Sequence, residues 1–188
     1  MRADARRNLG KIVEAAAAVM AERGSAAPME LIARRAGVGV GTLYRRFPDR
    51  AALLAAMGEH YVHSLGEALD RAVAEERDAW SALRAFVLWA GDSGRGVLAA
   101  VLAGVPEEAT VGPGFEETRQ RWLERFTALV RQAQADGRMR ADVGVDDVVA
   151  LLNLFACHPG PLPAHVAARP TWFLGLMLDG MAAGAAQG

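Results

Sequence analysis

The 188-residue chain predicts an all-α fold. Three observations carry that prediction. Apolar residues recur at three- and four-residue spacing through most of the length. Alanine, leucine, glutamate and arginine are abundant, while β-branched residues other than valine are few. No segment shows a convincing apolar–polar alternation over the length of a strand. With 52% apolar residues there is enough material for a sizeable core. About nine helices are expected.

Ala5 to Arg23 forms the first, with Leu9, Ile12, Val13, Ala16, Val19 and Met20 as one apolar stripe and Gly24 as its C-terminal cap. Ser25 to Pro28 is a turn, and proline suits the first turn of the helix that follows to about Ala36, with Leu31, Ile32 and Ala36 inward. Gly37 closes it, and Val38-Gly39 leads into a short helix over Val40 to Phe47. Glycine at the N-cap position, Gly39, is poorer than serine by only about a few tenths of a kcal/mol. Pro48-Asp49 then starts a long helix from Arg50 to about Glu76, with Asp49 as N-cap and Leu53, Leu54, Met57, Tyr61, Leu65 and Leu69 as its buried stripe.

The rest of the chain continues in the same manner. Asp78 to about Ala90 carries Trp80, Leu83, Phe86, Val87 and Trp89; Gly91 to Gly94 breaks it, and Val97 to about Val105 reads as a buried helix. Pro106 to Gly114 is a loop. Phe115 to about Ala135 is charged on one side and carries Trp122, Phe126, Leu129 and Val130 on the other. Val145 to Cys157 opens on Asp146 and Asp147, which suit a helix N-terminus. A proline-rich connector from His158 to Pro163 precedes the last helix, from Pro170 to about Ala183.

The net charge of −1 hides an uneven layout. Residues 1–50 hold ten basic and five acidic side chains, whereas 51–188 hold eleven basic and seventeen acidic ones. A basic first third on an acidic remainder points that first third at a polyanion. The single cysteine, Cys157, excludes an intramolecular disulfide and any cysteine-rich zinc site, and is expected to be a buried, inert thiol. His60 and His63 stand three apart on one helix, but no further ligand pair accompanies them, so no metal and no cofactor are expected. No apolar run approaches the ~18 residues that span a bilayer. A cytoplasmic protein without a membrane partner is the expectation.

The short helix from Val40 is the most informative element. Leu43 and Phe47 turn inward and prop it, while Thr42, Tyr44, Arg45 and Arg46 turn outward. Hydroxyls and guanidinium groups on a rigidly anchored helix are what the DNA major groove requires. Gly39 and Gly41 let a phosphate or base edge come close to the N-terminal amides.

The run Ile32-Ala33-x-x-Ala36-Gly37-Val38-x-x-Gly41-Thr42-Leu43-Tyr44-x-x-Phe47-Pro48-x-Arg50-x-x-Leu53 resembles the helix-turn-helix of the TetR family of bacterial transcriptional regulators. The match extends over about residues 7–60. The resemblance implies a helix-turn-helix DNA-binding domain at 1–50 and a ligand-binding and dimerisation domain at 51–188. It implies operator-phosphate contacts for Thr42 and Tyr44, base contacts for Val40, Gly41 and Arg45, and a phosphate contact for Arg50, where the family commonly has lysine. It departs from the family at Pro28-Met29, because proline has no N–H to offer a phosphate. Arg45 is the candidate for bidentate recognition of guanine, Arg46 shares its exposed face, and Arg2, Arg6 and Arg7 are placed to lie along the DNA backbone.

For the remaining two thirds, the resemblance implies an effector cavity, with Phe86, Trp89, Leu102, Trp122, Phe126 and Phe155 as walls and Asn153, Arg95 and His158 as polar anchors. Aromatic stripes at this spacing also describe an ordinary core. Few charges fall on the inner faces, which favours an apolar or aromatic small molecule. The last helix is apolar nearly all round and so must be buried on several sides. Leu151, Phe173, Leu174, Met177, Leu178 and Met181 are the expected homodimer interface, and a two-fold dimer would read a palindromic double-stranded operator. The expected function is a transcriptional repressor released by its effector. The alternatives are a DNA-binding regulator whose body docks a protein without sensing a ligand and, more remotely, a small helical enzyme, for which no nucleophile–base cluster or phosphate loop is found.

Overall fold

The computed structural model describes the backbone of residues 2–91, 93–157 and 162–184, and the side chains of 8–91, 97–106, 108–155 and 162–184. The side chains of Arg2, Arg6, Arg7, Arg95, Cys157 and His158 lie outside the described residues.

The fold is all-α. Ten helices follow one another among the described residues: α1 (Arg2–Arg23), α2 (Met29–Ala36), α3 (Val40–Arg46), α4 (Arg50–Glu75), α5 (Ala79–Ala90), α6 (Ser93–Ala103), α7 (Phe115–Ala135), α8 (Val145–Leu152), α9 (Ala164–Ala167) and α10 (Pro170–Met181). A 3₁₀ turn at Glu107–Ala109 precedes α7, and a π turn at Asn153–Cys157 prolongs α8. Among the described residues the extended pairing is one isolated antiparallel bridge, Met139 to Ala182. The additional helix is α9, a single turn that starts after Pro163. α6 is already wound at Ser93, four residues before its apolar run begins; a glycine costs a helix only about 1 kcal/mol, which neighbouring turns absorb. None of the described helices is long and apolar enough to cross a membrane.

Caps end and start these helices where the local chemistry dictates. Gly24 and Gly37 adopt positive φ values of 84° and 68° after α1 and α2. The Asp49 carboxylate accepts the Ala52 N–H at 2.8 Å, and Asp78 accepts the Ser81 N–H at 2.9 Å, each satisfying an orphan donor of a first turn.

The chain packs as two compact units. One takes residues 1–62 and 97–116, the other 63–96 and 117–188. In the first, Ile12, Val13, Ile32, Leu43, Leu53 and Met57 from α1 to α4 are all essentially inaccessible. The segment after α6 packs onto α4 in this unit. Thr110 is buried with its backbone against Gly58, and the Glu59 carboxylate accepts the Gly114 N–H at 3.3 Å. The second unit centres on Leu69, Leu83, Phe86, Phe126, Leu174 and Leu178, from α4, α5, α7 and α10.

Candidate nucleic-acid interface

The site is built from a tight turn between two helices. Gly37 ends α2 in the left-handed region, with its N–H on the Arg34 carbonyl at 3.2 Å, and the Val38 N–H reaches back to Ala33 at 3.0 Å. The chain is then extended at Gly39, whose carbonyl accepts the N–H groups of Thr42 and Leu43 at 2.9 and 3.0 Å. That starts α3 with no side-chain cap. Leu43 is 0% exposed and Phe47 4%, so two apolar anchors fix both the position and the rotation of this seven-residue helix. Burial of such side chains contributes on the order of 2 kcal/mol each.

With Leu43 and Phe47 inward, the rest of α3 faces outward. Val40, Gly41, Thr42, Tyr44, Arg45 and Arg46 are all exposed. A Cβ added to Gly41 would meet nothing within 4 Å. Arg45 makes no hydrogen bond or ion pair among the described residues. The Arg46 guanidinium lies 5.8 Å from the centre of the Phe47 ring, where a cation–π contact holds it to the helix.

Two contacts at this surface are not legible in the sequence. The Tyr44 hydroxyl donates to Glu30 Oε1 at 3.1 Å. That hydrogen bond raises the Tyr44 pKa above its ordinary value, and slight desolvation and the Glu30 charge act in the same direction against the Arg50 charge. Arg50, expected at phosphate, donates its guanidinium to the Ser25 carbonyl at 2.5 Å and to the Ala27 carbonyl. The fork geometry of arginine suits this task, since two carbonyls of one turn are held at once. Arg50 therefore ties the start of α4 to the turn between α1 and α2.

In the second unit the structure brings four predicted aromatic side chains together. Phe86 lies 5.5 Å from Phe126, 6.2 Å from Trp89 and 6.3 Å from Trp122, and Trp122 stacks on Phe126 at 5.3 Å. Phe155 is buried in the same core. Asn153 is exposed in the π turn. Leu102 belongs to the first unit, where it packs against the core of α1 to α4. The Trp122 indole N–H is buried with no hydrogen-bond partner among the described residues.

The residues expected at a dimer interface divide. Leu151, Leu174 and Leu178 are buried in the core of the second unit, and Phe173 and Met181 are partly buried against it. Met177 is exposed, together with Trp172 and Leu176 on the same helix and Leu154 in the π turn. The large apolar side chains on the outward side of α10 are Trp172, Leu176 and Met177, beside the exposed Thr171, Asp179 and Gly180. The sequence does not separate these from their inward neighbours, because α10 is apolar on both sides. Among the described residues no group of three or more His, Cys, Asp or Glu side chains is placed to hold a metal ion.

Comparison with known proteins agrees with this architecture. Residues 12–57 match the family described as "Bacterial regulatory proteins, tetR family", and residues 77–183 match "Transcriptional regulator SbtR-like, C-terminal domain". A TetR transcriptional regulator from Streptomyces coelicolor is 34% identical, with 94% of this chain and 99% of that one covered and a TM-score of 0.69. A TetR transcription regulatory protein from Mycobacterium vanbaalenii is 33% identical, covering 96% and 98%, with a TM-score of 0.67. The fold is also that of the transcriptional regulator FadR from Bacillus subtilis, solved in complex with stearoyl-CoA, at 16% identity, 94% and 98% coverage and a TM-score of 0.65. No curated protein gives a significant match. With its two segments matching in order and its close likeness to two such regulators over nearly the whole length, the chain belongs to the TetR family of bacterial transcriptional regulators.

Proposed function

We propose that the protein is a cytoplasmic transcriptional repressor that binds a palindromic operator as a homodimer and is released by a small apolar or aromatic effector. In this reading residues 1–50 are the DNA-reading head and 51–188 the sensing and dimerising body, and the protein carries no catalysis. The observation that carries it is the exposed face of α3, propped by the buried Leu43 and Phe47. Arg45 reads a guanine edge in the major groove, Thr42 and Tyr44 hold phosphate through their hydroxyls, and the bare Gly41 admits the DNA to the start of the helix.

Dimerisation is supported by the exposed Trp172, Leu176 and Met177 on α10. Apolar side chains of that size, clustered on one helix face, mark an interaction surface. An aromatic or largely apolar effector is supported by the aromatic cluster around Phe86, and the Trp122 N–H, without a partner among the described residues, would suit a single acceptor on it. The FadR neighbour, solved with stearoyl-CoA, supports the reading that a body of this fold can take a ligand with a long apolar chain. A coupling of about 1–3 kcal/mol between effector and operator gives a five- to 150-fold change in DNA affinity.

The test is duplex binding to the DNA flanking the protein's own gene. Tyr44→Phe is expected to weaken binding on all sequences alike. Arg45→Ala is expected to relax preference at one base pair per half-site, by about 1–3 kcal/mol. Equal loss on every sequence for both variants removes Arg45 as a base reader, and a stable monomer at micromolar concentration by light scattering removes the dimer.

A further inference from the structure

Glu30 sits in the first turn of α2, exposed, with its carboxylate on the Tyr44 hydroxyl at 3.1 Å. It thus places a negative charge directly on the face of α3 read above as the DNA surface. A phenol has one hydrogen to donate, and here it is donated to an ionised acceptor. A phosphate oxygen arriving at the same hydroxyl meets lone pairs and a neighbouring carboxylate. It gains the hydrogen only by displacing Glu30. Hydrogen bonds to ionised acceptors are about twice as strong as neutral ones, so the competition is between two anions for one donor. The raised Tyr44 pKa agrees with a phenol hydrogen already committed to an anion.

We propose that Glu30 is a built-in competitor of DNA phosphate: it occupies the Tyr44 hydroxyl hydrogen and holds DNA affinity below what the α3 face would otherwise reach. The inference rests on the DNA-binding reading. It adds a residue that opposes binding, on a helix outside the one that enters the groove. Because phosphate is present in every duplex, the effect is independent of sequence. Glutamine at this position keeps the size of the side chain, removes the charge, and leaves the phenol only a neutral acceptor that phosphate displaces more easily.

The experiment uses the full chain and a fluorescein-labelled duplex of arbitrary sequence, roughly 40 bp long, titrated by anisotropy at about 50 mM and 200 mM salt. Four proteins are compared: wild type, Glu30→Gln, Tyr44→Phe and the double variant. Glu30→Gln is expected to bind about three- to tenfold more tightly than wild type, the size of one exposed charge-assisted hydrogen bond per head. In the Tyr44→Phe background the gain from Glu30→Gln shrinks, because no phenol hydrogen remains to be released. Ultraviolet titration of tyrosinate supplies a second readout: the Tyr44 transition, identified by its absence in Tyr44→Phe, moves to lower pH in Glu30→Gln.

Unchanged or weaker binding by Glu30→Gln, with wild type binding normally, overturns the inference and leaves the DNA-binding reading intact. An equal gain in both backgrounds also overturns it, since Glu30 would then act only as a surface charge. A wild type that ignores duplex DNA at low salt overturns both readings.

Discussion

Gly58 lies inside α4, where alanine is normally the better residue by about 0.8–1.0 kcal/mol. At this position the opposite is expected. A Cβ on Gly58 would stand 2.2 Å from the Thr110 carbonyl oxygen and 3.1 Å from its carbonyl carbon. Non-bonded carbon atoms rest at about 3.5–4.0 Å, so the neighbour has to withdraw by on the order of 1 Å. The obstacle is backbone, which no rotamer change relieves. Lifting the segment after α6 exposes the buried Thr110 and breaks the Gly114 N–H bond to Glu59. The bond is worth about 1 kcal/mol and overpacking typically costs about 1–3 kcal/mol. Set against the propensity gain, Gly58→Ala is expected to destabilise the first unit by about 1–3 kcal/mol, with a fall in Tm of about 2–4 °C per kcal/mol. Urea unfolding followed by circular dichroism gives the stability, and hydrogen exchange of residues 104–114 reports whether the segment has lifted. An unfolding midpoint at or above wild type, with protection of that segment unchanged, would refute the packing argument.

Further outcomes follow from the same geometry. Gly41→Ala adds a Cβ to open space in a helix, so stability is expected to rise by about 0.5–1 kcal/mol while duplex affinity falls, measured by thermal melting and anisotropy. Loss of stability there would show that Gly41 is needed by the fold. Arg50→Lys keeps the charge but not the fork across the Ser25 and Ala27 carbonyls. It is expected to lower stability by about 1 kcal/mol with little change in duplex affinity of the folded protein; the reverse pattern would make Arg50 a phosphate contact. Asp78 has its pKa lowered by the Ser81 N–H it caps, with the Ser81 hydroxyl and the Arg138 and Arg77 charges adding to the effect. A depressed folded pKa stabilises the folded state above the unfolded value of about 3.9, and that contribution is lost as pH falls through the lower folded value. Asp78→Asn retains a capping oxygen but is expected to lack this acid-dependent loss, as read from Tm between pH 5 and pH 3 by about half-unit steps.

Much of the architecture was legible because it is written in local terms. The stripe of Ile12, Val13, Ala16, Val19 and Met20 names the buried side of α1, and Leu43 and Phe47, four apart, name the buried side of α3. Gly37 and Asp49 mark helix ends because each meets a specific backbone requirement there. What escaped was set by contacts distant in sequence. Nothing in the residues around Glu30 foretells a partner fourteen positions on, and Arg50 reads as a surface cation until the Ser25 and Ala27 carbonyls are seen beside it. Along α10, Leu174 and Leu178 differ from Leu176 and Met177 only in which side meets the core of the second unit. An apolar helix carries no pattern that separates those two sides. The segment after α6 was legible as a loop, but its close approach to Gly58 depends on the tertiary path of the chain.

The most direct measurement is dimethyl sulfate protection on DNA flanking the gene, with wild type and Arg45→Ala compared. Methylation strikes guanine N7 in the major groove, the atom that a bidentate arginine covers. The account predicts protected guanines in two symmetry-related positions whose centres lie about 34–36 Å apart or a multiple of that, with protection lost at one guanine per half-site in Arg45→Ala. A bound complex that leaves every guanine N7 open, or that protects the same guanines after Arg45 is removed, would contradict it.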